Sequence, residues 1–326
     1  MKQIAFSFFA LFTFTGMFAQ DLFSSGEKNK NITPFHDARN DMNGLNTTSL
    51  QQQAAWKTFT QQHPTWGARF DQYTQLPHRA FGTPITIAAG GNDAVAKAKA
   101  FLQQSFSGFN LPMNELVLTR NYNDGKYINV DFKQVHNGVE ILWSRINVRL
   151  TQDLKVMMFG LDVHRNVPTL AASITPATAI QKAEQAIQTT ITNSSVSNDM
   201  KIFPFPVDGH YNYRLAYQVN VETINDNKTP GNYLTYVDAN DGEILYRQNQ
   251  VKFFDVKMKG DVHPVNQYTA TENRPLKNLK VVVGGTTYYT NASGIASVPS
   301  GPANATVYLE GKWAKVIDKG TSATTS

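Results

Sequence analysis

Tyr233-Leu-Thr-Tyr-Val-Asp-Ala-Asn-Asp-Gly-Glu-Ile-Leu-Tyr-Arg-Gln-Asn-Gln-Val251 places two β-rich runs either side of an acidic turn. Asp241-Gly242 supplies the turn, because Asp and Gly both accept the positive φ of a tight hairpin. The same residues look like a calcium loop, and their spacing rejects that reading. An EF-hand loop needs Gly at its sixth position and a bidentate Glu at its twelfth. Counted from Asp238, Gly242 is fifth and Asn249 is twelfth. The stretch is therefore expected to close an antiparallel sheet.

Upstream, Thr175 suits an N-cap and Pro176 a first helical position, and Ala177, Ile180, Ala183 and Ile187 recur at helical spacing. Strand signals follow at 201–205, 213–222, 232–238 and 243–251. The same order occurs earlier in the chain. A helix is expected over 92–106, capped by Asn92 or Asp93, with Val95, Ala98, Phe101 and Leu102 on one face. Strands are expected at 115–121, 127–136, 139–150 and 155–161, joined by Asn123-Asp124-Gly125, Asn137-Gly138 and Gln152-Asp153. Ahead of them, segment 54–82 carries Trp56, Phe59, Trp66, Phe70, Tyr73 and Phe81, a density of rings that needs a packing partner. Pro64, Pro77 and Pro84 argue against a long helix there. Beyond Phe253, short strands at 256–262, 279–283, 286–290, 295–298, 305–309 and 313–317 alternate with Gly- and Asn-rich turns, the pattern of a small β-sandwich.

With 326 residues, 41% of them hydrophobic and 17% charged, the chain has the composition of folded domains, two or three by length. Its formal charge of +5 comes without a run of Lys or Arg, which disfavours a nucleic-acid partner. There is no cysteine, so disulfides, thiolate nucleophiles and thiolate metal ligands are excluded. Residues 1–20 read as a secretory signal peptide: Lys2 is the positive start, 4–14 is mostly apolar, and Ala19 stands at a cleavage point. The expected destination is the periplasm, the cell surface or the medium. A polar lead-in covers 21–53, and the tail at 319–326 reads as though cut from a longer protein.

Catalytic motifs are missing. The histidines are His36, His63, His78, His136, His164, His210 and His263, and none begins a His-Glu-x-x-His zinc motif. There is no Gly-x-Ser-x-Gly elbow and no phosphate-binding loop, and Gly90-Gly91 lacks dinucleotide spacing. Asn-x-Ser/Thr sequons, among them those beginning at Asn31, Asn46, Asn193, Asn291 and Asn304, are expected by chance in an Asn- and Thr-rich chain.

Trp66-Gly-Ala-Arg-Phe-Asp-Gln-Tyr-Thr-Gln-Leu-Pro-His-Arg-Ala-Phe-Gly82 resembles the segment near the start of fungalysin-type pro-regions. Lys133-Gln-Val-His-Asn-Gly-Val-Glu-Ile141 resembles the fungalysin/thermolysin propeptide (FTP) motif, with its turn at Asn137-Gly138. Val139-Glu140-Ile141 stands where that family often has Val-Pro-Val. Ile174-Thr-Pro-Ala-Thr-Ala-Ile-Gln-Lys-Ala-Glu184 and the hairpin at Asp241-Gly242 resemble the helix and hairpin of PepSY. The resemblance implies an α+β chain of two successive helix-plus-antiparallel-meander, cystatin-like modules, FTP-like over 54–168 and PepSY-like over 169–251. A carboxypeptidase-regulatory-like sandwich is expected to follow over 252–318.

The implied role is that of a pro-region, an intramolecular chaperone and inhibitor of a secreted zinc metallopeptidase. The partner is that peptidase domain, in cis or in trans, and zinc is expected only there, not in this chain. No catalytic or metal-binding residue is assigned. The alternative is a free-standing exported protein that binds a peptide, a glycan or a surface protein. Trp66, Phe70, Arg79 and Phe81 are candidate peptidase contacts, weighed against a place in the core of the first module. Trp143 is expected in a strand as core, and Arg145 and Arg149 on a solvated basic edge.

Overall fold

The computed structural model describes residues 31–32, 47–225, 229–265, 268–298 and 305–311. The expected signal peptide, the tail and the strand at 313–317 lie outside these residues. A short helix α1 (Thr47–Gln51) precedes α2 (Ala54–Gln62), β1 (Gly67–Phe70), β2 (Pro77–Ile85) and α3 (Ala94–Ser105). The strands β3 (Leu116–Asn123), β4 (Tyr127–His136), β5 (Val139–Ile141), β6 (Arg145–Thr151) and β7 (Val156–Asp162) follow. Next come α4 (Pro176–Gln185), β8 (Thr190–Val196), β9 (Lys201–Val207), β10 (His210–Ile224), β11 (Pro230–Asp238) and β12 (Ile244–Asn249).

Local chemistry explains the helices. The Asp93 carboxylate accepts the amide of Ala96 at 2.6 Å and caps α3, which buries Ala98, Phe101 and Leu102. Thr175 caps α4 by accepting the Thr178 amide at 3.2 Å. The buried face of α4 is rotated from expectation. Ala179 and Ala183 face inward with Ile180 and Ile187 beside them, while Ala177 is exposed. The unexpected α2 ends at Gln62 and is capped by His63, just before Pro64. Its Trp56 and Phe59 are the reason for the ring density in this segment. Phe59 lies 5.5 Å from Trp66, 5.0 Å from Phe106 and 5.7 Å from Phe159, ring centre to ring centre. Trp66 stacks on Phe159 at 5.4 Å and donates its indole N–H to Thr83 O. Gly82 lies flat against this indole: an added Cβ would meet the Trp66 ring at 2.4 Å.

Strand order in the main sheet is β1-β2-β7-β6-β4-β5-β9-β10-β11-β12, with β3 on β4 and β8 on β10. The expected long strand over 139–150 is two strands. Trp143, at φ 59°, breaks it between β5 and β6. The break has a topological use: β6 stays beside β4 and β7, while β5 pairs in parallel with β9. That pairing matches only Glu140 with Lys201 and Ile141 with Ile202, extended by a bond from the Leu142 amide to Ile202 O at 2.9 Å. It fuses two strand groups into one sheet. β8 was not expected, because Thr-Ile-Thr-Asn-Ser-Ser-Val has no clear apolar alternation.

The expected hairpin turns at Asn137-Gly138 and Asp241-Gly242 form. Asn137 and Gly138 have φ of 49° and 82°, as a two-residue hairpin of mirror-image type requires. Gly242 has φ 81°, and the Asp238 amide donates to Glu243 O at 2.8 Å across the turn.

Alternation assigns faces across the whole sheet. Val135 opposes Glu140, and Glu140 opposes Lys201, so Asp131, Lys133, Glu140, Lys201 and Phe203 share one face. The other face meets the helices, through Phe132, Ile146 and Val148 for α3 and through Ile141, Ile202 and Val219 for α4. At the seam, Lys133 and Lys201 donate to Glu140 Oε2 at 2.8 and 3.2 Å. Partial burial would raise the Glu140 carboxyl, but these two ammonium hydrogen bonds outweigh it and hold the group below its ordinary range.

The remaining strands are β13 (Phe254–Lys257), β14 (Lys259–Val262), β15 (Glu272–Pro275), β16 (Leu279–Val283), β17 (Thr286–Tyr289), β18 (Ile295–Val298) and β19 (Ala305–Gly311). They form the antiparallel pairs β13-β18 and β14-β15 and the sheet β17-β16-β19, around Val281, Val283, Ala296 and Val298. The strand expected over 256–262 is interrupted at Met258, and β15 was not expected.

Gly82→Ala must displace Trp66 from Phe159, and it is expected to destabilise the chain by about 1–3 kcal/mol, measured by urea titration. Glu140 contributes stability that is complete above the ordinary carboxylate range and is lost as pH falls through its depressed value. Glu140→Gln should therefore lower the melting temperature near neutral pH and flatten its decline below about pH 4.3, as read by thermal scans across pH.

Candidate functional site

The face of the sheet turned away from α3 and α4 carries the most concentrated chemistry. β4 presents Asn129 and Asp131 to this face, and β6 presents Arg145, Asn147 and Arg149, the odd-numbered partners of residues that fill the core. A groove of about 430 Å3 lies here, lined by Arg79, Arg120, Arg145 and Arg149 with His78, Trp143, Asn147 and Asp162.

Asp131 organises the arginines. Its carboxylate is buried at 5% exposure, yet it accepts Arg120 Nε and Arg145 Nη2 at 2.8 Å each, and also the Asn147 amide. A buried carboxylate without such donors would be costly, so the two guanidiniums and Asp131 fix one another. Both arginine side chains remain about half-exposed, at 49% and 53%. Arg149 donates to the buried Asn129 Oδ1 at 2.9 Å and lies 5.6 Å above the Tyr127 ring. His78 Nδ1 sits 2.7 Å from Asp162 Oδ1. Arg79 is exposed and has no ion-pair partner among the described residues.

Trp143 joins this groove to an aromatic patch on the same face. Its ring meets Phe203 edge-on at 5.1 Å and approaches Tyr246 and Tyr236 at 5.9 and 6.2 Å. It is nonetheless 39% exposed. A bulky residue at positive φ costs about 1–3 kcal/mol and persists only where its surroundings hold it. Tyr236 beneath it is pushed up to about 12 by burial, so it stays neutral across the working range.

The expected contact residues are divided by the structure. Trp66 and Phe70 are buried at 5% and 3% and belong to the aromatic core, so neither is accessible as a contact. Arg79 and Phe81 alternate outward on β2, and Phe81 is 60% exposed. Trp143 is on a turn and not in a strand. Arg145 and Arg149 lie on an interior strand, between β4 and β7, and not on an edge. Arg120 and Asp131 were missed, although the polar row Asn129, Asp131, Lys133 beside Arg145, Asn147, Arg149 was visible as two complementary alternations.

The acidic hairpin has a structural use. Asp238 Oδ2 accepts Arg214 Nη1 at 3.0 Å, and Glu243 accepts the same nitrogen, so the carboxylates that imitate a calcium loop surround a guanidinium. Among the described residues, no group of three or more His, Cys, Asp or Glu is placed to hold a metal ion. No helix among them is long and apolar enough to cross a membrane.

Asp131→Asn should weaken the arginine tethers and destabilise the chain by about 2 kcal/mol, measured by chemical denaturation.

Comparison with known proteins bears on residues inside this sheet. A stretch of 142 residues is 28% identical to the thermostable neutral protease NprT of Geobacillus stearothermophilus, covering 41% of this chain and 25% of that protease. The chain thus spans about a quarter of the relative it matches. The Bacillus megaterium YpeB C-terminal domain superposes with a TM-score of 0.29 at 18% identity, over 53% of this chain and 71% of that one. Residues 173–248, from just before α4 to the end of β12, match the family described as peptidase propeptide and YPEB domain, and a PepSY domain is therefore found there.

Proposed function

We propose that residues 54–251 form the pro-region of a secreted zinc metallopeptidase of the fungalysin/thermolysin kind, and act as its intramolecular chaperone and inhibitor. The observation that carries this reading is the PepSY match over 173–248, seated in one sheet with the preceding strands. The partial likeness to a neutral protease supports it. In this proposal 54–168 is an FTP-like module, 169–251 a PepSY-like module, and 252–318 a carboxypeptidase-regulatory-like β-domain. Export by the leader at 1–20 is part of the same reading, as is zinc residing in the peptidase domain only.

The physical logic is linkage. A partner that binds the native peptidase and not its unfolded chain stabilises it, and contact near the substrate cleft blocks access. A covalent tether strengthens both effects by raising local concentration.

The full chain should accelerate refolding of denatured cognate peptidase domain and slow its cleavage of a fluorogenic peptide. A chain that alters neither the refolding yield nor the cleavage rate at micromolar concentration would sink the proposal.

A further inference from the structure

The open face of the sheet holds more cationic and aromatic chemistry than the chain itself uses. Arg79 is exposed and unpaired among the described residues. Arg120 and Arg145 are anchored from beneath through one nitrogen each to Asp131, leaving guanidinium surface in the groove. Asp131 is buried, and Asp162 is engaged by His78, so the four arginines dominate the groove's charge.

The cations do not converge on a point. Arg145 and Arg149 are four residues apart on β6, which sets them about 13 Å apart along an extended strand. Apolar groups stand at both ends of this strip. Trp143 adjoins Arg145, while Met158 opposes Arg149 across the β6-β7 register and is itself opposed by the exposed Phe81. A single phosphate or sulfate matches neither the spread nor the apolar ends. Carboxylates spaced four residues apart on an extended segment, with an aromatic or aliphatic side chain beyond them, match both. Arginine forks pair with carboxylates in bidentate geometry, and Trp and Arg are the side chains that carry binding energy at interfaces. Trp143 is also held in a left-handed backbone conformation, as expected where strain persists for a function.

We infer that this groove docks an acidic polypeptide segment that also bears an aromatic or aliphatic side chain. Its carboxylates meet Arg79, Arg145 and Arg149, and its apolar group packs on Trp143 or Met158. The inference rests on the proposed pro-region role for the location of the segment, which is the peptidase domain, and not for the binding chemistry.

The test uses the full chain and a labelled decapeptide carrying Glu four residues apart and a terminal Phe, read by fluorescence anisotropy. The Glu peptide should bind, bind more weakly as salt rises, and outcompete its Lys counterpart. Arg79→Glu should weaken binding by about tenfold, the loss of one charge-assisted pair, with an unchanged melting temperature. Trp143→Gly, which suits the backbone at that position, should also weaken it. Equal affinity for the Glu and Lys peptides, indifference to Arg79→Glu, or binding of a sulfated glycan in place of the peptide overturns the inference. A parallel arm measures peptidase inhibition. Peptide binding without inhibition by the wild-type chain defeats the pro-region reading and leaves the docking chemistry standing. Inhibition that both variants retain in full removes the segment from the peptidase.

Discussion

Two residue pairs decide the architecture. Glu140 with Lys201 and Ile141 with Ile202 are the whole parallel register between β5 and β9. Every strand from β1 to β7 joins every strand from β8 to β12 through that contact. So short a pairing cannot hold by backbone bonds alone, and side chains reinforce it on both faces. Glu140 binds lysines from β4 and β9 on the open face, while Ile141 and Ile202 enter the core under α4. Nearby, the Gln134 side chain bridges to both backbone groups of His164 at 2.7 Å, and His164 in turn lies 3.2 Å from the Tyr213 hydroxyl. A buried amide with donor and acceptor both satisfied fixes the linker before α4 in a single position.

The sheet has two different faces, and the difference follows from strand alternation. Toward the helices it is mainly hydrocarbon and aromatic surface, interrupted by the buried Gln134, Thr235 and Arg247, with small residues at Ala179 and Ala183 letting α4 approach closely. Toward the open side, the same strands show tethered arginines in one half and a cluster of edge-on and tilted rings in the other, and Trp143 belongs to both. Helices on one side only are the arrangement of an α+β layer.

Much of this was legible in the residues. The caps at Asp93 and Thr175, the turns at Asn137-Gly138 and Asp241-Gly242, and the strands at 127–136 and 232–238 are local signals read by local rules. What failed was decided at long range. Leu142-Trp143-Ser144 looks like strand by composition, and nothing within the stretch says that the chain must break there so that β5 can take a second partner sixty residues away. Trp66 and Phe70 share their residue types with interface anchors, and their place in the core comes from Trp56 and Phe59 on α2 together with Phe159 from later in the chain. Asp131 was passed over because the polar alternation of its strand shows a face but not which cations of β3 and β6 converge on it.

The far edge of the sheet adds a temporal constraint. Ile32 forms an isolated antiparallel bridge with Arg247 on β12, with reciprocal amide bonds of 2.8 and 2.9 Å. Asn31 also accepts the Asn249 amide, across 218 positions of sequence. The last strand of the sheet is thus capped by one of the earliest residues of the chain. Synthesis delivers Ile32 long before its partner exists, so this contact waits until β12 is laid down. Until then β11 presents an unpaired outer edge, a template for wrong partners. The bridge works as a terminal clasp: it closes only when the sheet is complete.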